Sequence, residues 1–413
     1  MQQLTDFSAI LAGLRPGASV VIHSLCAEPA YLSAQLALHA ASAKGLAVHT
    51  LMPMGAAPYA TAEAVRHLAV STFYPGKGLR DAVNAGRVRL LPCALSEIPE
   101  LFRSGRIKAD LLLLQLSPPD VEGRLSLGIS VDYMRAVLDQ DPLVVAEINP
   151  RMPFTCGDSL VAPEDVDFFV DSSVPPCFFT APAGDETDRC IAENVASLIE
   201  NGDVIQAGIG ALPDLMLAQL GHLHDLGIHS GVITDSVMKL IQAGVVNNAT
   251  KSALRGKTVT TMAMGSQGFY DFLNGNRDVE LHPCSLTHGH EFLAGIDRLC
   301  SVNSVLQVDL AGNSNAERVA GRVIASPGGL ADFARGAAAA KRGKSILALR
   351  ATAKGCSNIL AQFPPDTPPS LDGGPVGFVV TEYGIARLRG ASPQQRRDAL
   401  IAVAHPDFRA DLR

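Results

Sequence analysis

Two stretches of this chain open in the same way. Val20 leads to Pro29 across nine positions and Val204 leads to Pro213 across nine, and each span reads as a strand, a loop of small residues and the start of a helix. A strand that hands over to a helix through a short loop is half of a βαβ unit, so the repeat predicts an α/β fold with mainly parallel sheets. Ser19 to His23 reads as the first strand, followed by a helix from Ala30 to about Lys44. Leu111 to Leu114 and Leu143 to Ala146 are apolar on both faces, as strands covered by helices on both sides must be. Ile191, Val195, Leu198 and Ile199 mark one face of a helix ending near Gly202. Between Asp171 and Thr187, Ser-Ser, Pro-Pro, Ala-Pro and Gly-Asp cluster as a linker would. The expectation is two tandem similar α/β domains, residues 1–176 and 188–413, joined by a linker at 177–187.

Composition removes several alternatives. At 413 residues the chain has room for two domains of roughly 100 to 200 residues each. A formal charge of −7 with scattered Lys and Arg offers no basic field for a phosphate backbone, so nucleic acid is not an expected partner. Apolar residues make up 47%, yet no uninterrupted apolar run nears the roughly 20 residues of a membrane span, so no membrane partner is expected either. The opening Met1-Gln2-Gln3-Leu4-Thr5-Asp6 has neither a basic nor an apolar leader region, and the expected compartment is the cytoplasm. Cys26, Cys93, Cys156, Cys177, Cys190, Cys284, Cys300 and Cys356 form no Cys-x-x-Cys pair and read as reduced small hydrophobes.

Short motifs run through most of the chain. Gly123 to Tyr133 reads Gly-Arg-Leu-Ser-Leu-Gly-Ile-Ser-Val-Asp-Tyr, and Ala146 to Pro153 reads Ala-Glu-Ile-Asn-Pro-Arg-Met-Pro. Gly208 to Pro213 holds Gly-Ile-Gly-Ala-Leu-Pro, and Leu226 to Asp235 holds Leu-Gly-Ile-His-Ser-Gly-Val-Ile-Thr-Asp. Gly328 to Gly336 reads Gly-Gly-Leu-Ala-Asp-Phe-Ala-Arg-Gly, Val380 to Gly390 reads Val-Thr-Glu-Tyr-Gly-Ile-Ala-Arg-Leu-Arg-Gly, and Ala404-His405-Pro406-Asp407-Phe408 closes the series. In this order the motifs resemble the acetyl-CoA hydrolase/transferase family, the family I CoA-transferases that include the 4-hydroxybutyrate and butyryl-CoA:acetate enzymes.

The resemblance implies two CoA-transferase-type domains with the active site between them, an acyl-CoA substrate and a homodimer. It also implies a glutamate that attacks the acyl-CoA carbonyl and is converted, through a mixed anhydride, to an enzyme-CoA thioester. That glutamate belongs where this chain has Gly231. Glycine closes the covalent route there, and the space it vacates is expected to admit water or an acceptor nucleophile. Installing a glutamate at 231 is expected to restore ordinary transfer if the surrounding pocket is intact.

Other roles carry over residue by residue. Gly208 and Gly210 permit close backbone approach to an anion, with a ligand-free tight turn as the alternative. Gly328 and Gly329 are implied to supply an oxyanion-hole amide, which the loss of a side chain at 231 leaves intact. Glu382 matches a family glutamate near the acyl or acceptor pocket and is a candidate general base, against the ordinary reading of a solvated or capping strand-end residue. Glu147 and Asn149 divide evenly between pocket and structural roles, and Arg151 is a candidate fork for a substrate carboxylate. His282, Cys284, His288 and His290 crowd together, but their spacing fits no common zinc pattern and no metal is expected. This loop departs from a tyrosine-threonine-asparagine loop of the family. Cys284 is therefore weighed as a thiolate nucleophile, and His288 and His229 as bases, against the plain reading of a buried Cys and a loop His. Cys156 stands where relatives often have histidine.

The functional expectation is transfer of an acyl or CoA group from a short acyl-CoA to a carboxylate, water or other nucleophile without a glutamyl-CoA intermediate. Hydrolysis, lyase chemistry through a thioester enolate and a non-catalytic acyl-CoA-binding role are the alternatives. Coenzyme A enters as substrate.

Overall fold

Leu111–Leu116 is buried at every position, the pattern of a strand with helices on both faces. In the computed structural model, which describes residues 1–43, 45–365 and 367–413, it lies inside an eight-stranded sheet. The strands are β1 (Gln2–Gln3), β2 (Ser19–Ile22), β3 (Ala47–Thr50), β4 (Ala69–Thr72), β5 (Arg89–Leu90), β6 (Leu111–Leu116), β7 (Leu143–Ile148) and β8 (Phe168–Asp171). Their spatial order is β1-β8-β7-β6-β2-β3-β4-β5, parallel throughout. The chain runs outward from β2 to β5 and then returns to the other side of β2. That reversal opens a crevice at the carboxyl ends of β2 and β6, where such sheets bind ligands.

A second sheet repeats the plan. Its strands are β9 (Val204–Ala207), β10 (Gly227–Ile228), β11 (Leu299–Ser304), β12 (Lys344–Ala348), β13 (Phe378–Thr381) and β14 (Gly384–Arg387), in the order β10-β9-β11-β12-β13-β14. All pairs are parallel except the β13–β14 hairpin, and the order reverses between β9 and β11. The two similar sequence openings are thus the strand, loop and helix start at each reversal, with Ala30–Leu38 (α1) after β2 and Ala211–Gln219 (α2) after β9. The α/β architecture with mainly parallel sheets matches the sequence expectation.

Details differ. Helix α1 stops at Leu38 and passes into a 3-10 turn at Ala40–Ser42; Lys44 lies outside the described residues. The helix carrying Ile191 and Val195 runs Glu186–Ala196, opened by Asp185, whose side chain accepts from the Asp188 N–H. It ends before Leu198 and Ile199, which are buried in the turn beyond it.

The chain divides into Met1–Phe179 with Thr261–Ser285, and Thr180–Thr260 with Leu286–Arg413. By packing, residues 261–285 group with the first unit. Val279–Leu281 pairs in parallel with Cys156–Gly157, Tyr270 donates its hydroxyl to Cys177 O at 2.7 Å, and Phe178 stacks on Tyr270 at 5.9 Å. Helix Gln267–Leu273 buries Phe269, Tyr270 and Leu273.

Gly157 is the tight point of that pairing. Its φ is +96°, and a β-carbon there would lie 2.5 Å from Leu281 O. Gly157→Ala is expected to cost about 2 kcal/mol or more through backbone strain and displaced pairing. Urea unfolding followed by circular dichroism measures it, and an unchanged midpoint would show that this pairing does not hold the segment in place.

Candidate active site

The backbone leading to Gly231 is held from both sides. His229 N donates to Ile205 O at 3.1 Å and Ser230 N to Val259 O at 2.9 Å, while Ser230 Oγ donates to Ala207 O at 3.1 Å. Beneath β10, Lys251 Nζ donates to Ile228 O (2.8 Å) and Lys257 O (2.6 Å). The lysine stem reaches these carbonyls across Gly227, where a β-carbon would lie 2.7 Å from its Cγ.

The space beside Gly231 is filled. A β-carbon built on Gly231 would lie 2.8 Å from His288 Nε2 and 3.1 Å from its Cε1; one built on Gly329 would lie 2.7 Å from the same Nε2. The imidazole of His288 therefore occupies a slot between two backbones that both lack side chains. The open space expected beside Gly231 is therefore not there: it is filled by the imidazole of a residue 57 positions further along the chain.

His288 is 1% exposed and meets the Phe333 ring edge-on, at 4.7 Å and 62°. Its Nδ1 lies 2.9 Å from Thr287 Oγ1, and Nε2 has no hydrogen-bond partner among the described residues. Burial pushes its imidazolium down from the usual 6.5 to about 3, so the ring is neutral across the working pH range. His229, also buried, holds the loop: its Nε2 lies 3.0 Å from Thr287 O, which can only accept, so that nitrogen carries the proton. Its ring stacks on Phe292 at 5.4 Å. His229 is thus a positioning group. Thr287 and Phe333 were not singled out in the sequence, although Phe333 lies inside a quoted motif.

Gly329, beside the His288 ring, is the N-cap of helix α3 (Leu330–Ala339), an end that carries free amides and a positive dipole. Gly328 has φ +56°. Gly210 caps α2 with φ +124°, a conformation only glycine adopts readily, and Gly208 lines a pocket with Ile205, Leu217, Ser230 and Val237 that has room for about one water.

The other candidates are not drawn to this slot. Glu382 sits in the β13–β14 turn, with Oε2 accepting from Ala351 N–H at 2.9 Å. Strand β13 lies four inter-strand steps from β10, so the two strand ends are about 19 Å apart. Cys284 is buried in the first unit, its N–H donating to Asp132 O at 2.8 Å. His282 is clasped by Asp158 Oδ2 (2.8 Å) and Glu280 Oε2 (3.0 Å), and His290 is exposed at the start of His290–Ala294. No group of three metal-binding side chains forms among the described residues. Cys156 lies half-buried in the pairing with Val279–Leu281.

In the first unit the Glu147 and Asn149 side chains are committed to structure. Glu147 Oε1 accepts from Leu32 N–H (2.8 Å) in the first turn of α1, with its carboxyl pushed up by burial. Asn149 Nδ2 donates to Gln115 Oε1 (2.9 Å) and Val174 O (2.6 Å), and its Oδ1 accepts from Arg151 N–H. Arg151 itself is exposed on a cleft of about 630 Å³ beyond β6 and β7.

Against known proteins, the model of the acetyl-CoA hydrolase/transferase N-terminal domain matches residues 2–177 and that of the C-terminal domain residues 265–413. The class is that of acyl-CoA transferases and hydrolases, enzymes whose substrate is coenzyme A in thioester form. The 4-hydroxybutyrate coenzyme A transferase of Clostridium kluyveri is 39% identical over 395 residues, covering 95% of this chain and 92% of that protein. Among solved structures, the 4-hydroxybutyrate CoA-transferase from Porphyromonas gingivalis is 34% identical with a TM-score of 0.82, covering 98% and 94% of the two chains. RipA from Yersinia pestis is 29% identical with a TM-score of 0.93, covering 99% and 96%. The chain belongs to the acetyl-CoA hydrolase/transferase family. No helix among the described residues is long and apolar enough to cross a membrane.

Two outcomes test the slot. Gly231→Ala is expected to destabilise the fold by about 1–3 kcal/mol through displacement of His288. Combined with His288→Ala, most of that cost should vanish, giving a coupling of about 1 kcal/mol or more in a double-mutant cycle of denaturant unfolding. Additive costs would mean that the two residues are not in contact. The second outcome concerns pH. The unfolded chain protonates His288 below about pH 6.5, whereas the folded chain does so only near pH 3, so stability falls as pH drops through that window. Wild type should therefore lose stability between pH 6.5 and 4 more steeply than His288→Asn, by on the order of 1–3 kcal/mol. Parallel curves would contradict a buried neutral imidazole.

Proposed function

We propose that this chain transfers an acyl or CoA group from a short acyl-CoA without forming an enzyme-CoA thioester at residue 231, and that His288 Nε2 acts as the base when the nucleophile is water or a hydroxyl. One observation carries this reading: the imidazole fills the space that a side chain at 231 would need, with its only unpaired nitrogen at the two glycines. The relatives named above supply the substrate class, short acyl-CoA thioesters with a carboxylate acceptor. Residues of this site are assigned as Gly231, His288 and Gly329, with His229, Thr287 and Phe333 positioning the ring.

In the tautomer that donates Nδ1–H to Thr287 Oγ1, Nε2 presents a lone pair. It takes the proton of an attacking water or hydroxyl as the new bond to the acyl carbon forms. The amides at the start of α3 polarise the carbonyl oxygen. Collapse expels the CoA thiolate, and the imidazolium, made strongly acidic by its burial, returns the proton to sulfur. A carboxylate acceptor needs no base: it attacks directly, giving a mixed anhydride that free CoA thiolate reopens at the other carbonyl. The neutral imidazole therefore favours hydrolysis as the second reading, since a proton-bearing nucleophile uses it.

Thiol release from a panel of short acyl-CoAs, with and without carboxylate acceptors, is expected to show turnover, and acceptor-dependent product separates transfer from hydrolysis. His288→Ala should lower kcat/KM for hydrolysis by roughly 10²- to 10⁴-fold. Borohydride or hydroxylamine should trap no glutamyl thioester. Gly231→Glu alone is expected to gain nothing, because its β-carbon meets His288, whereas Gly231→Glu with His288→Ala should yield the trappable thioester. Coenzyme A binding without any turnover would replace this reading with that of a binding protein.

A further inference from the structure

All eight cysteines are free, and two that are far apart in sequence meet in the first unit. Cys26 lies in the 3-10 turn Leu25–Ala27 after β2, and Cys177 lies where the linker begins. Cys177 N–H is donated to Cys26 O at 3.3 Å. Residues joined in this way stand about 5 to 6 Å apart at Cα, inside the range of roughly 4.4 to 6.8 Å that a disulfide spans. Their side chains share the same surroundings. Cys177 Sγ faces Gly55, where a β-carbon would lie 3.6 Å from it, and the preceding Met54 N–H is donated to Leu25 O at 3.2 Å, next to Cys26. Tyr270 spans the pair, since its hydroxyl donates to Cys177 O at 2.7 Å and also contacts the Cys26 thiol.

The two thiols differ in access: Cys26 is fully buried and Cys177 half-buried. Burial pushes the Cys26 thiol up to about 12, and burial together with the Glu28 carboxyl nearby pushes Cys177 up as well. Both are therefore protonated at neutral pH, and neither is a ready nucleophile. A disulfide between them has no proton to lose and no charge to bury. The same burial that slows its formation protects it once it is made.

We infer that Cys26 and Cys177 are a disulfide-forming pair, which fastens the start of the linker to the loop after β2 when a small-molecule disulfide serves as oxidant. Cys177, the accessible thiol, gives up its proton and attacks the small disulfide RSSR. The S–S bond breaks, one RS⁻ leaves and Cys177 carries SR. Cys26, deprotonated in turn, attacks Cys177 Sγ and expels the second RS⁻. The two protein thiols are oxidised, and RSSR is reduced to two RSH that take up the two protons. The bond closes a loop of about 150 residues, the long-loop case in which a cross-link restricts the unfolded chain most. The inference stands apart from the chemistry at His288.

The test is incubation of the full, folded chain with oxidised glutathione at about pH 8.5, where the thiolate fraction is larger, followed by alkylation of the remaining thiols and peptide mass spectrometry without reduction. The expected product is a cross-linked pair of peptides containing Cys26 and Cys177, with no glutathione retained on Cys177. Cys26→Ser, checked for unchanged circular dichroism, should instead keep glutathione on Cys177, because nothing displaces it. Dithiothreitol should reverse both products. Chymotryptic cleavage after Phe178, which is 47% exposed, should slow roughly tenfold or more in the oxidised wild type and not in oxidised Cys26→Ser. Glutathione retained on Cys177 of the wild type, alkylation of both residues after the oxidant, or a cross-link from either to another cysteine overturns the inference.

Discussion

A neutral imidazole buried against two side-chain-free backbones is the constraint on which the rest of this site depends. Were His288 charged in the resting protein, an unpaired cation would sit in a dry slot, which burial disfavours. Burial instead holds the ring neutral, and its surroundings suit a neutral ring: the Phe333 edge and the Thr287 hydroxyl. His229 extends the arrangement by one step, since its Nε2–H fixes Thr287 and so fixes the residue that follows. Ring orientation is thus set from β10, through His229, before any substrate enters.

The sheets were legible in the sequence because strands at a reversal are buried on both faces and so spell continuous apolar runs. Val20–Ile22 and Leu111–Leu114 could be read directly, as could the glycine at 210 that turns into α2 with φ +124°. What the sequence did not reveal was spatial. Gly231 read as a position without a side chain, but the group packed against it comes from a loop 57 residues away, and nothing in either segment announces the other. Glu147 and Asn149 looked equally fit for chemistry or structure. Only the donors facing them decide, and those donors are Leu32 N–H for one and Arg151 N–H for the other. The packing of residues 261–285 on the first unit was not legible, because the strand they pair with, Cys156–Gly157, has two residues and no periodicity to read.

The two sheets reverse at corresponding places but furnish their crevices differently. After β9 the loop offers Gly208 and Gly210, that is, backbone. After β2 it offers side chains: Cys26, and Glu28, whose carboxyl burial pushes up to about 7 and whose Oε2 accepts from Gly55 N–H at 3.1 Å. Gln115 donates to Glu28 O and accepts from Asn149, so a buried chain of amides crosses the carboxyl ends of β2, β6 and β7. A loop of glycines suits an anion that must come close to amides. A layer of fixed side chains suits a shaped organic group.

The filled slot also explains why a single substitution is a poor guide to the chemistry of this chain. A glutamate at 231 and a histidine at 288 compete for one volume, so each makes sense only in the other's absence. Removing a large side chain from a packed interior leaves a cavity whose cost grows with its size unless something moves in. Here the volume beside Gly231 holds an imidazole whose Nε2 has no hydrogen-bond partner among the described residues. A cavity filled for packing alone would be served best by an apolar side chain, because a buried unpaired nitrogen costs about 1–3 kcal/mol. That the filler is an imidazole with Nε2 left open is therefore an argument for use, since the unmet hydrogen bond is repaid only when a substrate completes it.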